Sequence, residues 1–460
     1  MSTSTASIHS CVISPTLKGA IHDEQVGKYG RMFPDLPTPD DQETALLAIG
    51  RAGSMMDDTD TSEQGTKRTD NPRIPAGFPF LGQFVAHDIT ADRSLLLHHA
   101  RVTQLRNFRA PRLDLEVLYS AGPGGEPFLY DINDLDKFLI GINDANKPED
   151  VPRNQQGRAL VGDPRNDVHL IISQLHLAFL KFHNAIVDRL RQQGVPASEV
   201  FDHARQLTRW HYQWIVVNEF LPLSVGEEIV EDVLTNGLKY LTYSDQVFIP
   251  VEFADAAYRF GHSQIRVDYV LNSSGVHGQV FPDHGGTRPI PHERVIEWSY
   301  FFSTNAQHPA QPSKRIDTLV AHSMMNLPDS VVGETEIPEQ HSIAYRDLER
   351  GRALNLPSGE AIARAIGATP LTRDEVGLAS VGVQGETPLW YYILRESEVR
   401  HNGERLGDVG GRIVAEVLIG LLADDSSSYF NSETQWQPTL PSETPGDFTI
   451  ADLLRFAGVA

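Results

Sequence analysis

The chain has 460 residues, more than the ~250–300 at which one hydrophobic core stops growing, so it needs several domains or one large fold wrapped around something bulky. Lys plus Arg number 39 and Asp plus Glu 61, giving 39 − 61 = −22; such a field repels phosphate backbones and anionic lipid, which argues against nucleic acid and membrane surfaces as partners. The lone Cys11 excludes an intrachain disulfide, the opening residues show neither basic nor apolar leader regions, and no stretch approaches ~18 apolar residues, so a cytoplasmic protein without a transmembrane helix is expected.

Residues 1–75 are rich in Ser, Thr, Asp, Gly and Pro, and the stretch 54–72 carries no amphipathic period; an irregular arm with a loosely packed segment is expected. PFLGQFVAHD (79–88) places Leu81, Phe84 and Val85 on apolar positions, and Gln83 and His87 share one face if it is helical. The clearest helix is HLIISQLHLAFLKFHNAIVDRLRQQG, where Leu175, Phe179, Phe182, Ile186 and Leu190 follow the 3/4 spacing and Gly194 suits the stop. A second runs over 198–222 and a third over 252–266, where Arg259 and His262 lie three apart. Further helical pieces are IDTLVAHSMM, SGEAIARAIG, GGRIVAEVLIGLLADD and TIADLLRFAG; strand candidates are few, YLTYSDQVFIP (240–250) and TRPIP. The expected class is mainly α: one large helical domain over 76–425 with few short strands, preceded by the arm and followed by a polar segment, 426–460, whose short helix packs back on the domain.

Four segments hold candidate chemistry: GQFVAHD with His87, GDPRND with Arg165, AAYRFGHS with His262, and DLERGR with Asp347 ahead of Arg350 and Arg352. Singly each is weak, because a helical histidine is commonly a semi-buried core or surface residue and an arginine commonly an ion-pair partner. In combination, order and spacing resemble the animal-type haem peroxidases of the peroxidase–cyclooxygenase superfamily, including their bacterial members. The resemblance runs from GRMFPDLP through FPFLGQFVAHDIT, RNFRAPRLDLEVLY, GDPRND with QLHLAFLKFHN, and EFADAAYRFGHSQI to RDLERGRALNLPSG and TPLWYYI.

The resemblance implies a large helical haem domain and a peroxidase that reduces hydrogen peroxide through an oxyferryl state, then oxidises small aromatic or anionic reductants. It implies that His87 is the distal acid–base, moving a proton from the near to the far peroxide oxygen, with a pKa suited to both halves. Gln83, one turn earlier, matches the glutamine that orients distal water or a small anion. Arg165 matches the arginine that stabilises charge on the departing oxygen. His262 matches the proximal iron ligand. The family commonly places an asparagine beside that imidazole; Asp347 stands here, and a carboxylate should lower the iron potential, an effect that Asp347→Asn would undo. Arg259 is expected near a haem propionate.

Departures refine this. Where mammalian members carry the two carboxylates that tether haem by esters, this chain has Ala86 and Val168, so non-covalent haem b is expected, with Asp167 only adjacent to the second position. Asp88 and Asp114 match ligands of the family's structural calcium, with the carbonyls of Ala110 and Arg112 and the Glu116 carboxylate available to complete an oxygen shell. Cyclooxygenase-like relatives carry a radical tyrosine three residues before the proximal histidine; that position is Arg259, and Tyr258, one residue back, should point elsewhere. The rival readings are a haem-dependent fatty-acid dioxygenase or biosynthetic oxidase, and a non-catalytic adhesion module on the same fold; oligomeric state is left open.

Overall fold

The computed structural model describes residues 27–460 apart from 40–42, 61, 92–101, 103–104, 244–245, 287–288, 306 and 334; Cys11 and the opening segment lie outside them. The fold is mainly helical with few, short strands. In chain order the elements that matter for the site are β1 (Gly27–Gly30), α1 (Glu43–Gly50), β2 (Asp57–Asp58), α2 (Glu63–Thr69), β3 (Asp70–Pro75), α3 (Phe78–Ile89), β4 (Arg106–Asn107), α4 (Leu170–Gln192) and α5 (Val200–Ile215). There follow β5 (Phe248–Pro250), β6 (Pro312–Lys314), β7 (Val320–Ala321), α6 (Ile343–Ala353), α7 (Leu389–His401), α8 (Asp408–Asp424) and α9 (Ile450–Phe456).

The irregular arm expected over 54–72 is instead woven into the body. β1 lies between β4, antiparallel, and β5, parallel; β2 pairs with β7 and β3 with β6. Tyr29, Met32, Phe33, Ile49, Met56 and Ile74 are all buried. Polar residues there gave no period because their partners are distant in sequence: Asp58 meets the buried Lys314 at 2.6 Å, and the Asn71 amide donates to the Gly403 carbonyl at 3.2 Å. Such pairs satisfy buried polar groups without leaving an amphipathic signature.

α4 runs through the core. Leu175, Phe179, Phe182, Ile186 and Leu190 are buried as the spacing predicts, and Gly194, at φ +78°, adopts the left-handed turn that ends the helix. By length and apolarity α4 could cross a bilayer, contrary to the expectation that no segment would, but 83% of its most apolar window is buried inside the protein, as in a soluble core helix. α9 packs back on it, Phe456 meeting the Phe182 ring edge-on at 5.7 Å.

Two helical expectations fail. IDTLVAHSMM forms β7 followed by a single turn, His322–Met325. The helix expected over 252–266 breaks into a turn, Val251–Ala254, and a 3₁₀ segment, Ala257–His262. Its cause is tertiary. The Arg259 Nε–H donates to the Ala254 carbonyl at 2.9 Å, and the buried Glu252 carboxylate takes the Met32 and Phe33 amides at 3.1 and 3.2 Å. Of the strand candidates, 240–250 contains β5, whereas the described part of TRPIP, residues 289–291, is not a strand.

Candidate active site

α3 and the 3₁₀ segment both line a cavity of about 240 Å³. Gln83, Ala86, His87, Thr90, Arg165, Val168, His169, Tyr258, Arg259, His262 and Arg350 border it, with Phe80, Phe260, Phe281, Met324 and Leu327 supplying apolar wall. All four short segments that carry the sequence argument therefore contribute to one space, the last through Arg350.

His87 is held by a chain of amide and imidazole groups. Asn166 Nδ2 lies 3.0 Å from His176 Nδ1, and Asn166 Oδ1 lies 2.7 Å from His87 Nδ1. With the amide donating to His176, its oxygen must face His87, so His87 carries its proton on Nδ1 and presents the Nε2 lone pair. Burial, and then the neighbouring Arg165 charge, lower the His87 pKa to about 3, so the ring is neutral across ordinary pH. Burial likewise lowers His176 to about 3, which keeps it an acceptor. Asn166 was not singled out from the sequence; its adjacency to Arg165 in GDPRND was the available signal.

Arg165 is clamped by Asp163, Nε to Oδ1 at 3.0 Å and Nη2 to Oδ2 at 2.8 Å, and Nη2 also donates to the carbonyls of His87 and Thr90 at 3.1 and 2.5 Å. Nη1 is the guanidinium nitrogen left without an acceptor among the described residues. Arg165 and a second buried guanidinium, Arg109, hold the Asp163 carboxyl far below the ordinary range despite its burial. Asp163 was another silent member of the motif.

On the opposite side, His262 Nδ1 sits 2.5 Å from Oδ2 of the fully buried Asp347, whose Oδ1 accepts from Arg259 Nη1 at 3.0 Å. Burial alone would push the Asp347 carboxyl up; His262 and Arg259 more than reverse this and hold it below its usual value. Asp347 thus fixes the Nδ1–H tautomer and leaves His262 Nε2 as a lone-pair atom without a hydrogen-bond partner among the described residues. In a 3₁₀ helix, residues three apart eclipse, so Arg259 and His262 reach the same carboxylate. Arg259 also reaches Asp255 at 3.5 Å and the Ala254 carbonyl at 2.9 Å while it lines the cavity. Arg350, on the same wall and joined to Asp255 at 3.1 Å, is a second buried guanidinium that the sequence reading left without a role.

Tyr258 departs from expectation. It lines the cavity, stacks on Phe253 at 4.6 Å, and buries a hydroxyl that has no hydrogen-bond partner. Ala86 and Val168 do face the cavity, and the Asp167 carboxylate is taken up by Arg153 at 2.8 and 3.0 Å, so no carboxylate stands ready for an ester.

The acidic residues of the expected calcium set each have protein partners. Asp88 accepts the Leu115 and Val117 amides at 3.0 and 3.4 Å, Asp114 pairs with Arg209 at 3.5 Å, and Glu116 pairs with Arg109 at 2.9 Å. Among the described residues no three His, Cys, Asp or Glu gather as a metal site.

A family model for animal haem peroxidase matches residues 97–358, and the chain belongs to that family. Among curated relatives, heme peroxidase 2 of Caenorhabditis elegans is 33% identical over 116 residues, 24% of this chain and 16% of that protein. Chorion peroxidase of Drosophila melanogaster is 26% identical over 261 residues, 52% of this chain and 30% of its own length. The matches thus span less than a third of either relative. Peroxidase A from Dictyostelium discoideum shares the fold at a TM-score of 0.61 and 16% identity, covering 95% of this chain and 91% of that one. Fatty acid alpha-dioxygenase from Oryza sativa does so at 0.56 and 14%, covering 91% and 77%.

Proposed function

We propose that this chain is a peroxide-dependent oxidoreductase that binds haem b without a covalent link and oxidises small aromatic or anionic donors. The observation that carries the reading is the pair of imidazoles lining one cavity, each with Nδ1 engaged and Nε2 left free. The donor set fits haem: His262 Nε2 would hold the iron, the apolar Phe, Met and Leu walls would take the ring, and the guanidinium groups of Arg259 and Arg350 would be available to its carboxylates. Bound haem would supply the iron that takes up peroxide and stores its oxidising equivalents.

The residues of the chain do the rest. His87 Nε2, neutral, would accept a proton from one oxygen of hydrogen peroxide and hand it to the other, which would depart as water. Arg165, pinned by Asp163, presents a preset positive charge where the departing oxygen gains negative charge. Asp347 orients His262 and adds negative character to it. The test is reconstitution with haem. A Soret band absent from His262→Ala, and a fast spectral change on adding hydrogen peroxide that slows by roughly 10²–10⁴ in His87→Leu, are expected; haem that binds equally well without His262 would overturn the reading. Release of the haem into acidified organic solvent checks the non-covalent link.

Tyr258 favours a second reading, a fatty-acid dioxygenase, because its phenol does face the cavity. Consumption of dissolved oxygen on adding palmitate without peroxide would establish it. Calcium belongs to the proposal on one observation: the buried Asp88 and the half-buried Asp114 are neighbouring acids, and burial first, then the Asp114 charge, push the Asp88 carboxyl up. A cation there would relieve both, and a fall in melting temperature on adding a calcium chelator is the expected sign.

A further inference from the structure

His169 opens α4 and lines the same cavity, 3% exposed, with its ring edge-on to Phe80 at 5.4 Å and Phe281 at 5.8 Å. Its Nδ1 accepts the Ile172 backbone N–H at 3.3 Å, as the helix cap. A neutral imidazole with Nδ1 accepting carries its proton on Nε2, and that atom lies 3.0 Å from Gln83 Oε1. The backbone of α4 therefore dictates the tautomer of His169, and the tautomer dictates the rotation of the Gln83 amide. Turned the other way, Gln83 would set an N–H against an N–H. With its oxygen held by His169, Gln83 keeps Nε2, whose two N–H donors have no acceptor among the described residues, for the cavity it lines together with His87.

We propose that His169 is a positioning residue that locks Gln83 as a hydrogen-bond donor, so that the amide expected from the family resemblance to hold water or a small anion is set in its donating orientation before any ligand arrives. The inference rests on the haem reading above and adds to it a residue that the sequence motifs did not mark. An amide free to rotate would spend part of its time offering a carbonyl, which repels an anion; a locked one does not have to be ordered when the ligand arrives.

The test uses the haem-loaded full chain and fluoride, a redox-inert anion that accepts strong hydrogen bonds, titrated by its effect on the visible spectrum. Asparagine is a good helix cap but is too short to reach Gln83, so His169→Asn keeps the cap and removes the lock. It is expected to bind fluoride about tenfold more weakly, the effect of a lost hydrogen bond to a charged partner, with its melting temperature close to that of the parent. Gln83→Leu should lose a similar factor, and the double variant should lose no more than the worse single one, because both act through one amide. Unchanged fluoride affinity in His169→Asn, or losses that multiply in the double variant, would overturn the proposal. A chain that takes up no haem would sink the proposed function instead, and the two failures are thereby told apart.

Discussion

Asn166 decides which nitrogen of His87 faces the cavity, so its replacement should damage chemistry more than stability. Asn166→Leu keeps the approximate volume but removes the acceptor from His87 Nδ1 and the donor to His176. The wrong tautomer then becomes accessible, and the rate of reaction with peroxide is expected to fall roughly 10- to 100-fold, the usual range for a group that orients a functional imidazole; stopped-flow at several peroxide concentrations measures it. The lowered pKa gives a second expectation. Because His87 titrates near 3, it stays a neutral base as pH drops from 8 to 5, and the peroxide rate should be flat over that range. A fall centred near 6.5, where an ordinary imidazole titrates, would show that burial and Arg165 do not control it. At this scale His87, Arg165 and His262 were legible because each sits in a distinctive short motif. Asn166, Asp163 and His169 were not, since their roles come from which atom of an amide or imidazole is occupied, a matter of three-dimensional neighbours.

Helix periodicity made α3, α4, α5 and α8 readable, since each buries one continuous apolar face. The segment that carries His262 does not run as one helix because amides of residues 32 and 33 hold Glu252 from outside, while within the segment Arg259 turns back onto the Ala254 carbonyl. A similar outside dependence sets the position of Asp347. Its helix, α6, lies against α1 at Gly50, where an added Cβ would come within 2.8 Å of the Leu348 side chain and 3.0 Å of the Tyr345 backbone. The backbone contact cannot yield by a rotamer change, so Gly50→Ala should push α6 away. The expected cost is about 1–3 kcal/mol of stability, as for overpacking in general. Because Leu348 adjoins Asp347, the His262 hydrogen bond should lengthen too. Denaturant melts give the first effect, and a weaker haem affinity in the same variant gives the second; normal stability with normal haem affinity would mean that α1 and α6 can slide apart freely.

For the molecule as a whole, the surface charge of −22 is the obvious pH-sensitive feature, yet two interior carboxyls should shape the stability curve more. Burial raises Glu396 to about 8 and Asp317 to about 7, and they are only 3% and 6% exposed. Each accepts a backbone amide, Glu396 from Val409 at the start of α8 and Asp317 from Leu319. Their folded pKa values lie above the unfolded ones of 4.5 and 3.8, so between those limits the folded chain holds more protons than the unfolded chain. Their contribution is then complete below about pH 4 and is lost as pH rises through 7 and then 8. Glu396→Gln keeps a carbonyl acceptor for Val409 without the titrating proton. It should therefore flatten the upper part of the curve, making the variant more stable than the parent at pH 9 and no better than equal at pH 5. Changing the exposed Glu433 to Gln removes one negative charge from the surface, and it should shift stability little at either pH. Urea titrations of the three proteins at pH 5, 7 and 9 separate the causes: parallel curves for parent and Glu396→Gln would mean that surface repulsion, not the buried carboxyl, governs the alkaline loss.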